Sequence, residues 1–148
     1  YYDTVRAAIA VEQEVGAQLL ALDALLEQSD VVSIHTPLTD ETKGIINART
    51  LGLMKSSAIV VNTSRGPVID EPALVEALQN KQIAGAGLDV FTTEPLGTES
   101  PLLSLDNVVL TSHIAGVTLD TWGRRIAFGF ANIERVADGQ APESVIGG

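Results

Sequence analysis

The chain has no cysteine and only two histidines, His35 and His113, set far apart. Without thiols there is no disulfide framework and no thiolate metal site, and two distant histidines do not make a zinc site. Basic residues are scarce, nine Lys and Arg against nineteen Asp and Glu, for a net charge of -10 and a pI near 4.4. Non-specific binding of nucleic acid or of an anionic membrane needs clustered positive charge, so composition argues against both. No apolar stretch approaches membrane-spanning length, and no signal peptide is visible. A reducing cytoplasm is the compatible compartment. An opening Met is also missing: the chain starts on Tyr1-Tyr2-Asp3, which reads as the very end of a strand, so an upstream segment is expected. There is no internal repeat or low-complexity tract.

What is present suffices for a core, since 148 residues at 45% hydrophobic content fit one domain. Four short apolar runs each end in polar residues of the kind chemistry uses. They are Val31-Val32-Ser33-Ile34 before His35-Thr36, Ala58 to Val61 before Asn62-Thr63-Ser64-Arg65, Ala84 to Leu88 before Asp89, and Val108 to Leu110 before Thr111-Ser112-His113. Each leads into turn residues and then a helical pattern, the arrangement of an open parallel α/β sheet, whose ligands bind outside the carboxyl ends of the strands. Arg65, Asp89, Glu94 and His113 are thus expected at one sheet edge.

Between the runs, residues 7–15 read as a short helix closed by Gly16, and 17–20 as a strand. Asp23 is the expected N-cap of a helix over 24–28, since its carboxylate can accept from first-turn amides. Asn47 is expected to cap a short helix through Met54. Asp70, Glu71 and Pro72 start a helix running to about Asn80. Leu119, Trp122, Ile126, Phe130, Ile133 and Ala137 recur at steps of three and four, predicting a last helix with one buried stripe. Asp138-Gly139 closes it, and residues 140–148 read as a tail.

Fold alone does not define function; three ordered segments do more. Val60-Val61-Asn62-Thr63-Ser64-Arg65-Gly66-Pro67, Gly87-Leu88-Asp89-Val90-Phe91-Thr92-Thr93-Glu94-Pro95 and Thr111-Ser112-His113-Ile114-Ala115-Gly116, with the loop His35 to Thr42, closely resemble the D-isomer-specific 2-hydroxyacid dehydrogenases. The resemblance covers nearly the whole chain. It implies a Rossmann-like, doubly wound parallel α/β sheet, NAD as cofactor, a small 2-oxo or 2-hydroxy acid as substrate and a homodimer. It also implies that Arg65 binds the substrate, His113 donates the proton and Glu94 is its carboxylate partner. The chemistry agrees. The planar Arg65 fork suits a carboxylate and the neighbouring carbonyl oxygen. His113, with an ordinary imidazole pKa of about 6.5, can give a proton to that oxygen. Glu94 would favour the imidazolium and fix the ring. Taken singly, an Arg at a strand end is usually a surface ion pair, a lone His usually structural, and Glu94 an ordinary loop acid; their shared setting reverses those readings. His35 lacks that setting and reads as a cofactor-side or structural residue.

On the cofactor side, Asp3 matches the acid at the end of the second strand that accepts from the ribose hydroxyls of NAD and repels a 2'-phosphate. Thr36, Pro37, Thr63, Ser64, Arg65, Asp89, His113 and Gly116 complete the expected cofactor set. The G-x-G-x-x-G phosphate loop is absent; the nearest string, Gly85 to Val90, lacks the third glycine and falls in a strand. That fingerprint precedes the ribose acid by about twenty residues. Residues 1–137 therefore read as the C-terminal two thirds of a dinucleotide-binding domain, without its first strand, and 138–148 as a tail. Phosphite dehydrogenases and dinucleotide-sensing corepressors keep the same Arg, Glu and His, and stay open as alternatives; formate dehydrogenases, with Gln in place of Glu94, fit less well.

Overall fold

The computed structural model describes residues 1–145. In chain order the elements are α1 (Ile9–Val15), α2 (Leu22–Gln28), β1 (Val31–Ile34), α3 (Ala48–Leu51), β2 (Ile59–Asn62), α4 (Glu71–Gln79), β3 (Gly85–Leu88), β4 (Val108–Leu110) and α5 (Leu119–Ala137). The four strands form one parallel sheet in the order β1-β2-β3-β4, a Rossmann-like α/β arrangement. After β3 the chain takes an irregular loop, as expected over 91–105, with one 3-10 turn at Pro101–Ser104. Two compact units result, Tyr1–His113 and Ile114–Gly148.

Side chains alternate across a strand, and among the described residues one side of this sheet is far better covered than the other. Val32, Ile34, Val60, Ala86 and Leu88 join Leu26, Leu51, Leu74, Leu78, Ile83 and Leu102 in the core of the first unit. Each Leu or Ile so buried stabilises the fold by roughly 1.5–3 kcal/mol relative to exposure. On the other side Val31, Ile59 and Val109 are exposed. A doubly wound sheet would have both faces clothed, so the described residues supply one wound side.

Capping explains several boundaries. Asn47 accepts from the Arg49 and Thr50 amides, and Thr50 Oγ1 accepts in turn from the Asn47 amide at 2.7 Å, a reciprocal box that starts α3 as expected. Asp70 accepts from the Ala73 amide to open α4. Asp23 is not a cap. Helix α2 begins two residues earlier than expected, after Ala21, and the Asp23 carboxylate is instead held by both Arg49 Nη atoms at 2.9 and 3.1 Å.

Residues 17–20 do not form a strand. What remains is one rung: the Tyr1 amino group donates to the Gln18 carbonyl at 2.7 Å, and the Leu20 amide donates to the Tyr1 carbonyl at 2.8 Å. That is the bond pair of a parallel bridge, and a ladder cannot lengthen on a single residue. In the second unit α5 has its expected ends, with Thr118 and Thr121 in a capping box and Asp138 at the close. Its apolar stripe, however, is not core: Leu119, Trp122, Ile126, Phe130 and Ile133 are exposed. The expected tail over 140–148 shows Glu143 tied to Asn132 and Arg135; residues 146–148 lie outside the described residues.

Candidate active site

Strand register sets the site. Ile34 pairs with Asn62, Asn62 with Leu88 and Leu88 with Leu110, so the last residues of all four strands form one row across the sheet. The residues that follow that row, His35-Thr36, Thr63 to Arg65, Asp89 and Thr111 to His113, therefore leave the sheet along a single carboxyl edge.

Buried Asn62 shapes the turn that presents Arg65. Its Oδ1 accepts from the Ser64 amide (3.0 Å) and hydroxyl (2.9 Å), while its Nδ2 donates to the Arg65 carbonyl at 3.0 Å. Arg65 itself is exposed, with Nη1 donating to the Ser64 carbonyl at 2.6 Å. The next residue must be glycine: a Cβ on Gly66 would lie 2.0 Å from the Phe91 carbonyl carbon and oxygen. This close approach brings the loop after β2 against the loop after β3, which carries Glu94. Glu71 ties the same loops by accepting from the Thr92 amide at 2.9 Å.

His113 and Glu94 meet, with His113 Nδ1 2.8 Å from Glu94 Oε2. The other carboxylate oxygen accepts from the Phe91 amide at 3.0 Å. These two bonds, the His113 contact foremost, hold the Glu94 carboxyl below its ordinary pKa. Because an ionised carboxylate can only accept, Nδ1 carries the hydrogen, and Nε2 is left to meet a substrate. The His113 backbone has a positive φ of 57°, uncommon outside glycine, and its amide donates to the Asp89 carbonyl at 2.9 Å. Asp89 is buried at the end of β3 and accepts from Thr111 Oγ1 at 2.5 Å.

A cleft of about 490 Å3 opens at the ends of β1 and β2, lined by His35, Thr36, Pro37, Leu38, Thr63, Ser64 and Arg65. Five of the expected cofactor positions share it. Asp3 stands on the N-terminal segment, exposed, its carboxylate accepting from the Val5 amide at 3.0 Å. Gly116 belongs to the second unit, where its carbonyl accepts from Thr121 Oγ1. His35 Nε2 bonds Ser33 Oγ at 2.8 Å. Two residues with evident roles were not singled out by the sequence reading. Asn62 organises the Arg65 turn, and its signal was a polar residue closing an apolar run. Glu12 is buried against Arg6 and Tyr1 in a helix otherwise exposed, and nothing local marked it.

A parallel sheet with an Arg, a Glu-paired His and a polar cleft at its carboxyl edge defines a nucleotide-dependent dehydrogenase domain. Residues 1–115 match the family model of the D-isomer specific 2-hydroxyacid dehydrogenase, NAD binding domain, and the chain belongs to that family. It is 44% identical over 146 residues to the glyoxylate reductase of Korarchaeum cryptofilum, covering 99% of this chain and 44% of that protein. To glyoxylate/hydroxypyruvate reductase B of an Escherichia coli strain it is 49% identical over 120 residues, 81% of this chain and 37% of that protein. The chain thus spans less than half the length of these relatives. The NAD-complexed D-isomer specific 2-hydroxyacid dehydrogenase of Lactobacillus delbrueckii ssp. bulgaricus superposes with a TM-score of 0.83 at 31% identity, covering 99% of this chain and 47% of that one.

The cofactor is NAD, and the residues fit part of it. Polar Thr36, Thr63 and Ser64 line the cleft at the ends of β1 and β2, a donor and acceptor set suited to a ribose and a carboxamide. The glycines of Gly85 to Val90 do different work: Gly85 lies in β3, where a Cβ would approach the Asn107 carbonyl oxygen to 2.7 Å. Gly85 thus admits the neighbouring backbone, whereas a Cβ on Gly87 would meet only the Val61 side chain at ordinary contact distance. Among the described residues no helix is long and apolar enough to cross a membrane.

Proposed function

We propose that this chain carries the catalytic set and the nicotinamide-side binding residues of a reductase that interconverts a small 2-oxo acid, of the glyoxylate or hydroxypyruvate kind, with its D-2-hydroxy acid. The contact between His113 and Glu94 at the carboxyl edge carries the reading. Arg65 would grip the substrate carboxylate and polarise the adjacent carbonyl. His113 would give the Nε2 proton to the carbonyl oxygen, and recover it in the reverse direction. Glu94 would hold the ring and stabilise its charge. NAD, when bound, supplies or accepts the hydride. Asp3 would hold its ribose hydroxyls, and Thr36, Pro37, Thr63, Ser64, Arg65, Asp89 and His113 would line its course; Gly116 joins them on the family resemblance alone.

The edge position of β1 and the bare second face of the sheet support reading residues 1–137 as two thirds of a dinucleotide-binding domain. On the same reading the enzyme is a cytoplasmic homodimer, a setting with which the absence of cysteine is compatible. In the protein that carries this chain, His113→Ala should lower kcat by about a hundred to ten-thousand fold, far more than it weakens NADH binding. Arg65→Ala should also raise KM for the 2-oxo acid. Steady-state kinetics with NADH binding measured separately would check both, and wild-type turnover by His113→Ala overturns the assignment.

A further inference from the structure

The segment that follows the Tyr1 bridge holds an acid and a base with different fates. Asp3 is exposed and makes no ion pair among the described residues; its carboxylate accepts from the Val5 amide and the Thr4 hydroxyl. Arg6, three residues on, is held along one edge: Nε donates to Glu12 Oε1 at 3.0 Å and Nη2 to Glu12 Oε2 at 2.9 Å. Tyr1 completes the clamp, its hydroxyl donating to Glu12 Oε1 at 2.6 Å and accepting from the Ala7 amide at 2.8 Å. Glu12 is buried while the Arg6 side chain is more than half exposed, so the carboxylate is the fixed member and the guanidinium the one able to swing away.

We propose that Glu12 is a positioning residue for cofactor selectivity, which holds Arg6 in a bidentate pair and so denies a 2'-phosphate the cation it would need beside Asp3. This rests on the reading above that Asp3 meets the adenosine ribose. A 2'-phosphate excludes itself from an acidic ribose site unless an Arg compensates. This chain has that Arg, and Glu12 takes its Nε and Nη2 hydrogens in a bidentate pair of the kind a phosphate would make. The Arg6 and Tyr1 bonds hold the Glu12 carboxyl down to about 2, so the clamp stays closed across working pH.

The test is kinetic, in the protein that carries this chain. Glu12→Gln keeps the shape and the Tyr1 contact but removes the charge that fixes Arg6. The ratio of kcat/KM for NADPH to that for NADH should rise about tenfold or more, as expected when a charged hydrogen bond becomes available. The rise should come through KM and not kcat. Glu12→Asp, which keeps the charge, should stay near the wild-type ratio, and adding Arg6→Ala to Glu12→Gln should cancel the gain. Thermal melting of each variant separates selectivity from loss of fold, and for a variant that melts early Asp3→Asn with Glu12 intact tests the same cation: adding Arg6→Ala should leave any NADPH gain of Asp3→Asn unchanged, because Glu12 already withholds Arg6, and loss of that gain overturns the clamp. An unchanged ratio in a folded Glu12→Gln that still uses NADH overturns the clamp. A wild-type protein that binds neither dinucleotide overturns the underlying reading instead.

Discussion

The two faces of the sheet are built from the same residue types and meet opposite surroundings. Val32, Val60 and Leu88 are 7%, 0% and 4% exposed, whereas Val31, Ile59 and Val109, each one position out of step, are 58%, 41% and 69% exposed. Nothing in β-propensity separates the two sets. The difference lies in the helices of the Tyr1–His113 unit, which clothe one face. Continuous apolar runs are what a parallel sheet needs when both faces are covered. The second face is thus apolar for a reason the described residues do not provide, and the stripe of α5 repeats the lesson in the other unit. Amphipathic pattern identifies the side of an element that is to be buried, and the partner that buries it is a separate matter.

The comparison can be broken by truncation on each face. Leu88→Ala, on the clothed face, should cost about 2–5 kcal/mol, the lost transfer energy plus a cavity. Ile59→Ala, on the neighbouring strand β2 and on the bare face, should cost less than about 1 kcal/mol, within the range of β-propensity. Urea midpoints with unchanged m-values would measure both. Equal losses would show that the bare face is covered in solution.

Gly66→Ala sharpens the same contrast at the carboxyl edge, because it deletes nothing. Its Cβ would collide with the Phe91 backbone, which cannot swing aside as a side-chain tip could. The loops after β2 and β3 would have to part, at a cost of about 1–3 kcal/mol. The separation should also loosen the Arg65 turn relative to Glu94, visible as a change in the amide resonances of Thr92 and Ser64. A neutral Gly66→Ala would show that the two loops are not in contact in solution.

Legibility in the sequence followed the range of the interaction. The strand ends, the Asn47 and Asp70 caps and the span of α5 depend on neighbours within a few residues, and the pattern displayed them. The exit of Arg65 and His113 from one edge of the sheet followed from parallel topology, which is a global rule applied to local runs, while Glu94 meets His113 and neither lines the cleft that holds Arg65. Asp23 failed as a cap because its partner, Arg49, lies on another helix. Residues 17–20 have strand composition, yet a strand needs a ladder and Tyr1 offers one rung. Glu12 went unnoticed for the same reason as Asp23: its burial is made by Tyr1 and Arg6 folding back on it. Asn62 sat in plain view, but only the structure shows that its amide serves the Arg65 turn from beneath.

The smallest effect expected is the pH dependence of the His113 and Glu94 contact, and its sign is fixed by the direction of the shift. Glu94 has a folded-state pKa below its unfolded value, first through His113 and then through the Phe91 amide. A depressed carboxylate contributes stability that is present above the unfolded pKa, about 4.3, and is lost as pH falls through the lower folded value. The loss therefore begins near pH 5 on acidification and lies wholly on the acid side. Both side chains are partly solvated, with Glu94 36% and His113 51% exposed, so water and salt screen the pair and the contribution is less than about 1 kcal/mol. Glu94→Gln should flatten this part of the acid limb of the stability profile, because it removes the ionisation that the contact favours. Chemical denaturation at pH 3.5, 5, 7 and 9 on both proteins would check it. A mutant that loses more stability than the wild type on going from pH 7 to pH 3.5 would mean that the Glu94 charge is not stabilised by His113 in the folded protein.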